Sequence, residues 1–154
     1  MDDNLILDVQ GEPIDPIWAA EFRGFFWGEG CLGAGIVHDM YRIAAIINLR
    51  MDDADTLREF QRRLGGTLSL THNISQRHTR LNVSSLPDCQ RVARLLAGGS
   101  NIPFAKKRQL VLWQEMLDIK QAAGGRPGSR YTEAQHDRMW SLVDQIQSMR
   151  RWSE

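Results

Sequence analysis

Net charge is the first thing this chain lacks, since 19 lysines and arginines are cancelled by 19 aspartates and glutamates. Binding a polyanion normally demands a basic surface, so an even spread of this charge would exclude nucleic acid as a partner. Cysteine is nearly absent as well. Cys31 and Cys89 lie far apart, with no second Cys or His at zinc-ligand spacing, which excludes a disulfide scaffold and a zinc site and leaves two reduced core thiols. No apolar run approaches the roughly 20 residues that cross a bilayer; stretches such as Ile43 to Ile47 are a strand's length. The acidic start Met1-Asp2-Asp3 is unlike a signal peptide. With no targeting signal, the expectation is a soluble, intracellular protein, cytoplasmic or phage-encoded, without a membrane partner. No internal repeat and no low-complexity segment is present.

What is there is enough apolar residue, 42% of 154, to fill the core of one domain. The charge is also unevenly spread. Met1 to Tyr41 carries one basic and eight acidic residues, Arg42 to Arg108 twelve and five, and Gln109 to Glu154 six and six. The middle of the chain is therefore the part that would face a polyanion. A competing reading is that Arg58, Arg62 and Arg63, at helical spacing beside Asp55 and Glu59, form a solvated, self-paired face.

The order of elements follows from periodicity and punctuation. Residues 1–15 form an acidic leader, read as a disordered or surface-packed tail. Asp15 then caps a helix opened by Pro16, and Trp18, Phe22, Phe25 and Phe26 run at helical spacing until Gly28 and Gly30. From Cys31 the period drops to two, with Leu32, Ala34 and Ile36 on one side. A turn at His38-Asp39 leads into a strand from Tyr41 to Arg50. Asp52 or Asp53 caps a second helix through Leu57, Phe60 and Leu64, closed by Gly65-Gly66. A second hairpin follows, Thr67 to about His72 and then a strand ending at Ser84, with Leu81 and Val83 inward and His78, Arg80, Asn82 and Ser84 outward. Pro87-Asp88 opens a third helix and Phe104 a fourth. After the Gly- and Pro-rich connection 122–130, a Thr132/Gln135 capping box opens the last helix, whose Met139, Leu142, Val143, Ile146 and Met149 form a core stripe. The fold class is α+β, in the order α-β-β-α-β-β-α with appended C-terminal helices, all within residues 16–154.

The segment Phe22-Arg23-Gly24-Phe25-Phe26-Trp27-Gly28-Glu29-Gly30 resembles the LAGLIDADG signature in its variant ending Gly-Glu-Gly, and it sits on a helix directly before a β-hairpin. The likeness continues through Leu64-Gly65-Gly66-Thr67, through Phe104-Ala105-Lys106-Lys107-Arg108-Gln109, similar to the family's basic stretch, and into Val143-Asp144-Gln145-Ile146. The chain is thus identified as a member of the LAGLIDADG homing endonuclease family, of the single-motif type. The resemblance implies a four-stranded antiparallel saddle, a symmetric homodimer, and Mg2+-dependent cleavage of both strands of a pseudo-palindromic DNA site, in the service of intron or intein mobility. Physical logic agrees with the seam. Ala20, Gly24 and Gly28 recur every four residues, giving a small-residue stripe along which two helices touch closely, with Trp27 beside it. Glu29 of each copy would then meet near the two-fold axis, where two carboxylates, with Gly28 adjoining, suit a hard divalent cation, Mg2+ or another.

Lys106 is the candidate for polarising the attacking water or neutralising the scissile phosphate, and Lys107 is the second; the bland alternative is a solvated helix start. Strand alternation places Arg42, Asn48, Thr67, Ser69, Thr71, Arg80, Asn82 and Ser84 on the DNA-reading face, with Arg50, Arg77 and Lys107 on phosphates. Against the pattern, Trp27 stands where the family usually has its first acid. It either fills a different interface or marks decayed catalysis. Gly33, Gly35 and Val37 bring no hydrogen-bonding side chains to the first strand, so its contribution is shape or close backbone approach. Leu95-Leu96-Ala97-Gly98-Gly99 begins like a second motif copy but has no acid. The alternative function is a DNA- or RNA-binding module, a repressor or maturase, that has lost cleavage; a protein-interaction module is a further rival.

Overall fold

The chain is described by a computed structural model covering residues 5–73, 76–100, 102–125 and 130–152, with the side chains of 71–73, 76 and 150–152 outside that description. Helix α1 (Pro16–Glu29) starts as its chemistry dictates. Pro16 occupies the first turn, and the Asp15 carboxylate accepts the Ile17 N–H at 2.6 Å. Strands β1 (Gly30–Val37) and β2 (Met40–Arg50) follow without a linker from the helix. Their turn residues His38 and Asp39 sit at φ 50° and 62°, the left-handed pair that a tight two-residue hairpin requires.

A short 3-10 turn (Met51–Asp53) precedes α2 (Ala54–Leu64), and the Asp53 side chain makes no cap hydrogen bond, so the expected aspartate cap is replaced by that turn. Gly65 and Gly66, at φ 81° and 93°, end α2; a Cβ on Gly66 would lie 2.7 Å from the Asn82 carbonyl oxygen. Strands β3 (Thr67–Asn73) and β4 (Gln76–Val83) form the second hairpin, β4 ending one residue earlier than expected. Helix α3 (Leu86–Ala97) is capped by Ser85, whose Oγ accepts the Asp88 N–H at 3.3 Å. Helices α4 (Phe104–Ala122) and α5 (Glu133–Trp152) complete the order. Reciprocal bonds of 2.8 and 3.1 Å between Thr132 and Gln135 form the anticipated capping box. Of the connection 122–130, residues 126–129 lie outside the described part.

The sheet is antiparallel throughout, in the order β1-β2-β4-β3, with the helices packed on one face. This is an α+β architecture of the α-β-β-α-β-β-α order with two helices appended. Alternation decides the buried face: Leu32 and Ala34, Ile43, Ala45 and Ile47, and Leu81 and Val83 point into the core. There they meet Phe22 and Phe26 of α1, Leu57 and Leu64 of α2, Val92, Leu95 and Leu96 of α3, Trp113 and Met116 of α4, and Met139, Leu142 and Ile146 of α5. Each such side chain fully removed from water contributes about 1.5–3 kcal/mol. Trp113 also satisfies its buried indole, donating from Nε1 to the Gly33 carbonyl at 3.1 Å. No helix among the described residues is long and apolar enough to cross a membrane.

The described part of the leader packs onto the helices. Leu7 bridges Pro13, and between them Asp8, only 5% exposed, accepts the N–H groups of Gln10 and Glu12 at 2.8 and 3.0 Å. Its other oxygen lies 3.2 Å from Arg63 Nη1, while Arg91 and Arg94 donate to the Leu7 and Leu5 carbonyls. These bonds, the Glu12 amide first and Arg63 among the rest, hold the Asp8 carboxyl below its ordinary value of 3.8 against the opposing effect of burial. A lowered carboxyl stabilises the fold above the unfolded value and ceases to do so as pH falls through the folded one. Asp8→Asn is therefore expected to lower the urea midpoint at pH 7, with the gap to wild type closing as pH is taken below 3.8; a gap independent of pH would show that ionisation contributes nothing.

Candidate nucleic-acid interface

The face of the sheet away from the helices is set by register. Cys31, Ile46, Asn82 and Thr67 form one row across the four strands; Asn48, Arg80 and Ser69 form the next, and Arg50, His78 and Thr71 a third. Gly35 pairs with Arg42, and Val37 with Met40 at the hairpin tip. The structure thus brings Arg42, Asn48, Arg50, Thr67, Ser69, Arg80 and Asn82 to one open face. Thr71 continues the register there, though its side chain is outside the described part. Ser84 is exposed just beyond β4. Arg77 is exposed near the far turn at a position of helix-side parity, so it is apart from the others. His78 joins the face by the same alternation, and parity alone could have added it to the reading set.

Arg80 Nε donates to Asn48 Oδ1 at 2.9 Å, fixing both side chains across adjacent strands before any ligand arrives. Asn82 Oδ1 is buried with no hydrogen-bond partner among the described residues. No aspartate or glutamate occupies a described open-face position, whereas Arg42, Arg50 and Arg80 do. Three of the five acids of the basic segment, Asp55, Glu59 and Asp88, pair with arginines on their own helices. Asp55 pairs with Arg58 at 2.5 Å and Glu59 with Arg62 at 2.7 Å, which makes the α2 arginines the self-paired face that the sequence also allowed. Arg62 holds the Glu59 carboxyl below its ordinary range. On the appended helices, Arg138 does the same for Glu115.

Glu29 is the last residue of α1 and is exposed; β1 begins at the next residue, opposite Ile47, so Glu29 stands at the junction of the helix with the end of the sheet. A glycine is required at 30 for a steric reason. A Cβ there would fall 2.5 Å from Phe26 Cδ2, and the Phe26 ring is 1% exposed and clamped against Phe22 and Trp27. Along α1, Ala20, Gly24 and Gly28 are exposed, Ile17 is 70% exposed, and a Cβ on either glycine would meet nothing within 4 Å. Trp27 is half-buried, with its indole Nε1 enclosed and without a hydrogen-bond partner among the described residues. Lys106 is half-buried and Lys107 exposed in the first turn of α4, which holds no acid. Three consecutive cations at the positive end of a helix dipole are unfavourable in isolation, and an anion there relieves them.

Other candidates resolve as structure. Burial pushes the Cys89 thiol up to about 12, and its Sγ contacts the Val83 carbonyl oxygen at 3.3 Å, so it is inert. The motif-like Gly98-Gly99 receives the Arg23 side chain, which bonds to the Leu95 carbonyl at 3.2 Å. Among the described residues, no three His, Cys, Asp or Glu side chains gather within one chain.

No protein-family profile matches the sequence, and no curated protein matches it either. Solved structures do. The homing endonuclease I-TnaI aligns at TM-score 0.70 and 14% identity over 86% of this chain and 93% of its own. I-CvuI, a homing endonuclease solved on a DNA target with Mg and the DNA not cleaved, aligns at 0.66 and 16% over 86% and 82%. The LAGLIDADG meganuclease I-AabMI, bound to uncleaved DNA, aligns at 0.65 and 16% over 84% of this chain but only 44% of its own. The fold of this chain is that of the LAGLIDADG homing endonucleases. Gly30→Ala is expected to lower stability by about 1–3 kcal/mol through overpacking against Phe26; an unchanged denaturant midpoint would mean the ring gives way.

Proposed function

We propose that this chain is a homing-type endonuclease of the LAGLIDADG family, in which two copies joined along α1 hydrolyse both strands of a specific DNA site. One observation carries the reading: an exposed stripe of small residues on α1 ends in exposed Glu29 at the junction with a sheet whose described open-face strand positions carry arginines and no acid. Helix α1 buries Ala19, Phe22 and Phe26 on one side and exposes Ile17, Ala20, Gly24 and Gly28, with Glu21 among them, on the other. An exposed face with so little polar side chain suits a partner helix. A second copy related by two-fold symmetry supplies one, and Gly24 and Gly28 let the backbones approach.

That union would bring a second Glu29, with the neighbouring Gly28 carbonyls, into a set of hard oxygen donors suited to Mg2+. When bound, such a cation supplies Lewis-acid stabilisation of charge on the phosphodiester. The chain's own groups do the rest. Lys106 in the first turn of α4 neutralises the scissile phosphate or orients the attacking water, and Lys107 holds the adjacent phosphate. Asn48, Arg80, Ser69, Thr67 and Asn82 read base edges, while Arg42 and Arg50 fix register on the duplex. The DNA-bound complexes of I-CvuI and I-AabMI support this docking. A second reading, a repressor or maturase that binds and does not cut, is favoured by Trp27, whose indole, without a hydrogen-bond partner among the described residues, takes the place of the usual first acid beside the seam.

Incubation of a supercoiled plasmid library with the protein and Mg2+ separates the two. Site-specific linearisation by wild type and its loss in Glu29→Gln, with binding retained, is the expected result; retention without cuts by wild type selects the binding module. For the seam, Gly24→Leu should leave thermal unfolding of the isolated chain unimpaired, because no described atom lies within 4 Å of the position a Cβ would take, while sedimentation shows the dimer lost. A variant that stays dimeric would place the interface elsewhere.

A further inference from the structure

We infer that the β1–β2 arm of the open face recognises thymine by its 5-methyl group, a different readout from the hydrogen bonding of the β3–β4 side. The inference rests on the proposed DNA-binding role of the sheet. The two halves of the open face differ in chemistry. On the β4 and β3 side stand Arg80, Asn82, Thr67 and Ser69. Between residues 33 and 46 the open-face positions of the arm are Gly33, Gly35, Val37, Met40, Arg42, Ala44 and Ile46, with Gly33 and Ala44 buried and Arg42 the one charged side chain among them. Val37 and Met40, paired at the tip, are 41% and 54% exposed, so they are apolar side chains offered outward rather than core.

The glycines shape the surface between them. Ile46 Cδ1 lies 3.5 Å from where a Gly33 Cβ would stand, so the isoleucine folds over that position. Gly35, opposite Arg42, is half-buried, and a Cβ there would come 3.9 Å from the Gln147 side-chain nitrogen of α5. The result is a shallow apolar strip with a single cation on it, continuous along β2 with the polar rows and ending at the His38-Asp39 turn. A base edge in the major groove offers hydrogen-bond donors, acceptors and one apolar group, the thymine methyl. The exposed pair Val37 and Met40, on a stretch of open-face positions 33–46 whose one polar side chain is the phosphate-seeking Arg42, matches that apolar group.

The full-length protein, equilibrated with a randomised duplex library, selects its own ligand. The strongest duplex is then remade with deoxyuridine for thymidine, which keeps the base pairing and deletes the methyl groups. Affinity should fall about fourfold for each contacted methyl, the equivalent of one buried CH2. The exposed double variant Val37→Ser/Met40→Ser should then narrow the difference between the two duplexes. Equal binding of both by wild type, with selection from the library intact, overturns the inference and leaves the sheet as a DNA reader by shape and hydrogen bonds. Failure to retain any duplex even at low salt overturns the DNA-binding reading itself, and this inference with it.

Discussion

The junction between α1 and the sheet depends on the contact between the Phe26 ring and the bare Cα of Gly30. Phe26 is held by Phe22 and Trp27 and is almost wholly buried, so its ring occupies the volume any larger residue at 30 would need. The helix consequently passes into β1 with no intervening loop, and the residue between them has one place to be. Glu29 inherits its position from that packing and not from hydrogen bonds of its own carboxylate. Backbone torsion does not impose the glycine, since φ at residue 30 is −94°, which any residue adopts.

Electroneutrality, which at first argues against a polyanionic partner, is a sum over surfaces that the fold keeps apart. Asp8 is enclosed by the leader hairpin with Arg63, and Glu59 and Glu115 are matched by arginines on helices. Among the described residues, the strand positions of the open face carry Arg42, Arg50 and Arg80 and no acid. Phosphate contacts respond to local potential within about 10 Å at ordinary ionic strength, so the average over the chain decides little.

Local chemistry was legible in the sequence wherever a residue acts on its near neighbours. Asp15 and Pro16 open α1, Thr132 and Gln135 box the start of α5, and the period of two through β1, β2 and β4 sorts core from open face. The element order followed from these, as did most of the candidate reading side chains. What escaped depends on contacts between distant segments. Nothing near Asp8 announces Arg63, 55 positions away, so the leader could not be told from a loose tail. Asp53 has the composition of a cap, but the 3-10 turn before it takes over that task. Trp27 lies beside the unpartnered stripe of α1, so whatever meets its indole is not written in the periodicity of one chain.

The hydrogen bonds made by β1 carry a consequence for assembly. It is the terminal strand on its side of the sheet, and its Gly33 and Ala34 carbonyls already receive donors from the Trp113 indole and the Gln147 amide. A foreign strand adding there would have to displace helix-borne groups, one of them from a fully buried tryptophan. Sheet continuation at this margin would thus cost the bonds that tie α4 and α5 to β1, so the helices that fill the core also close the β1 edge to a foreign strand.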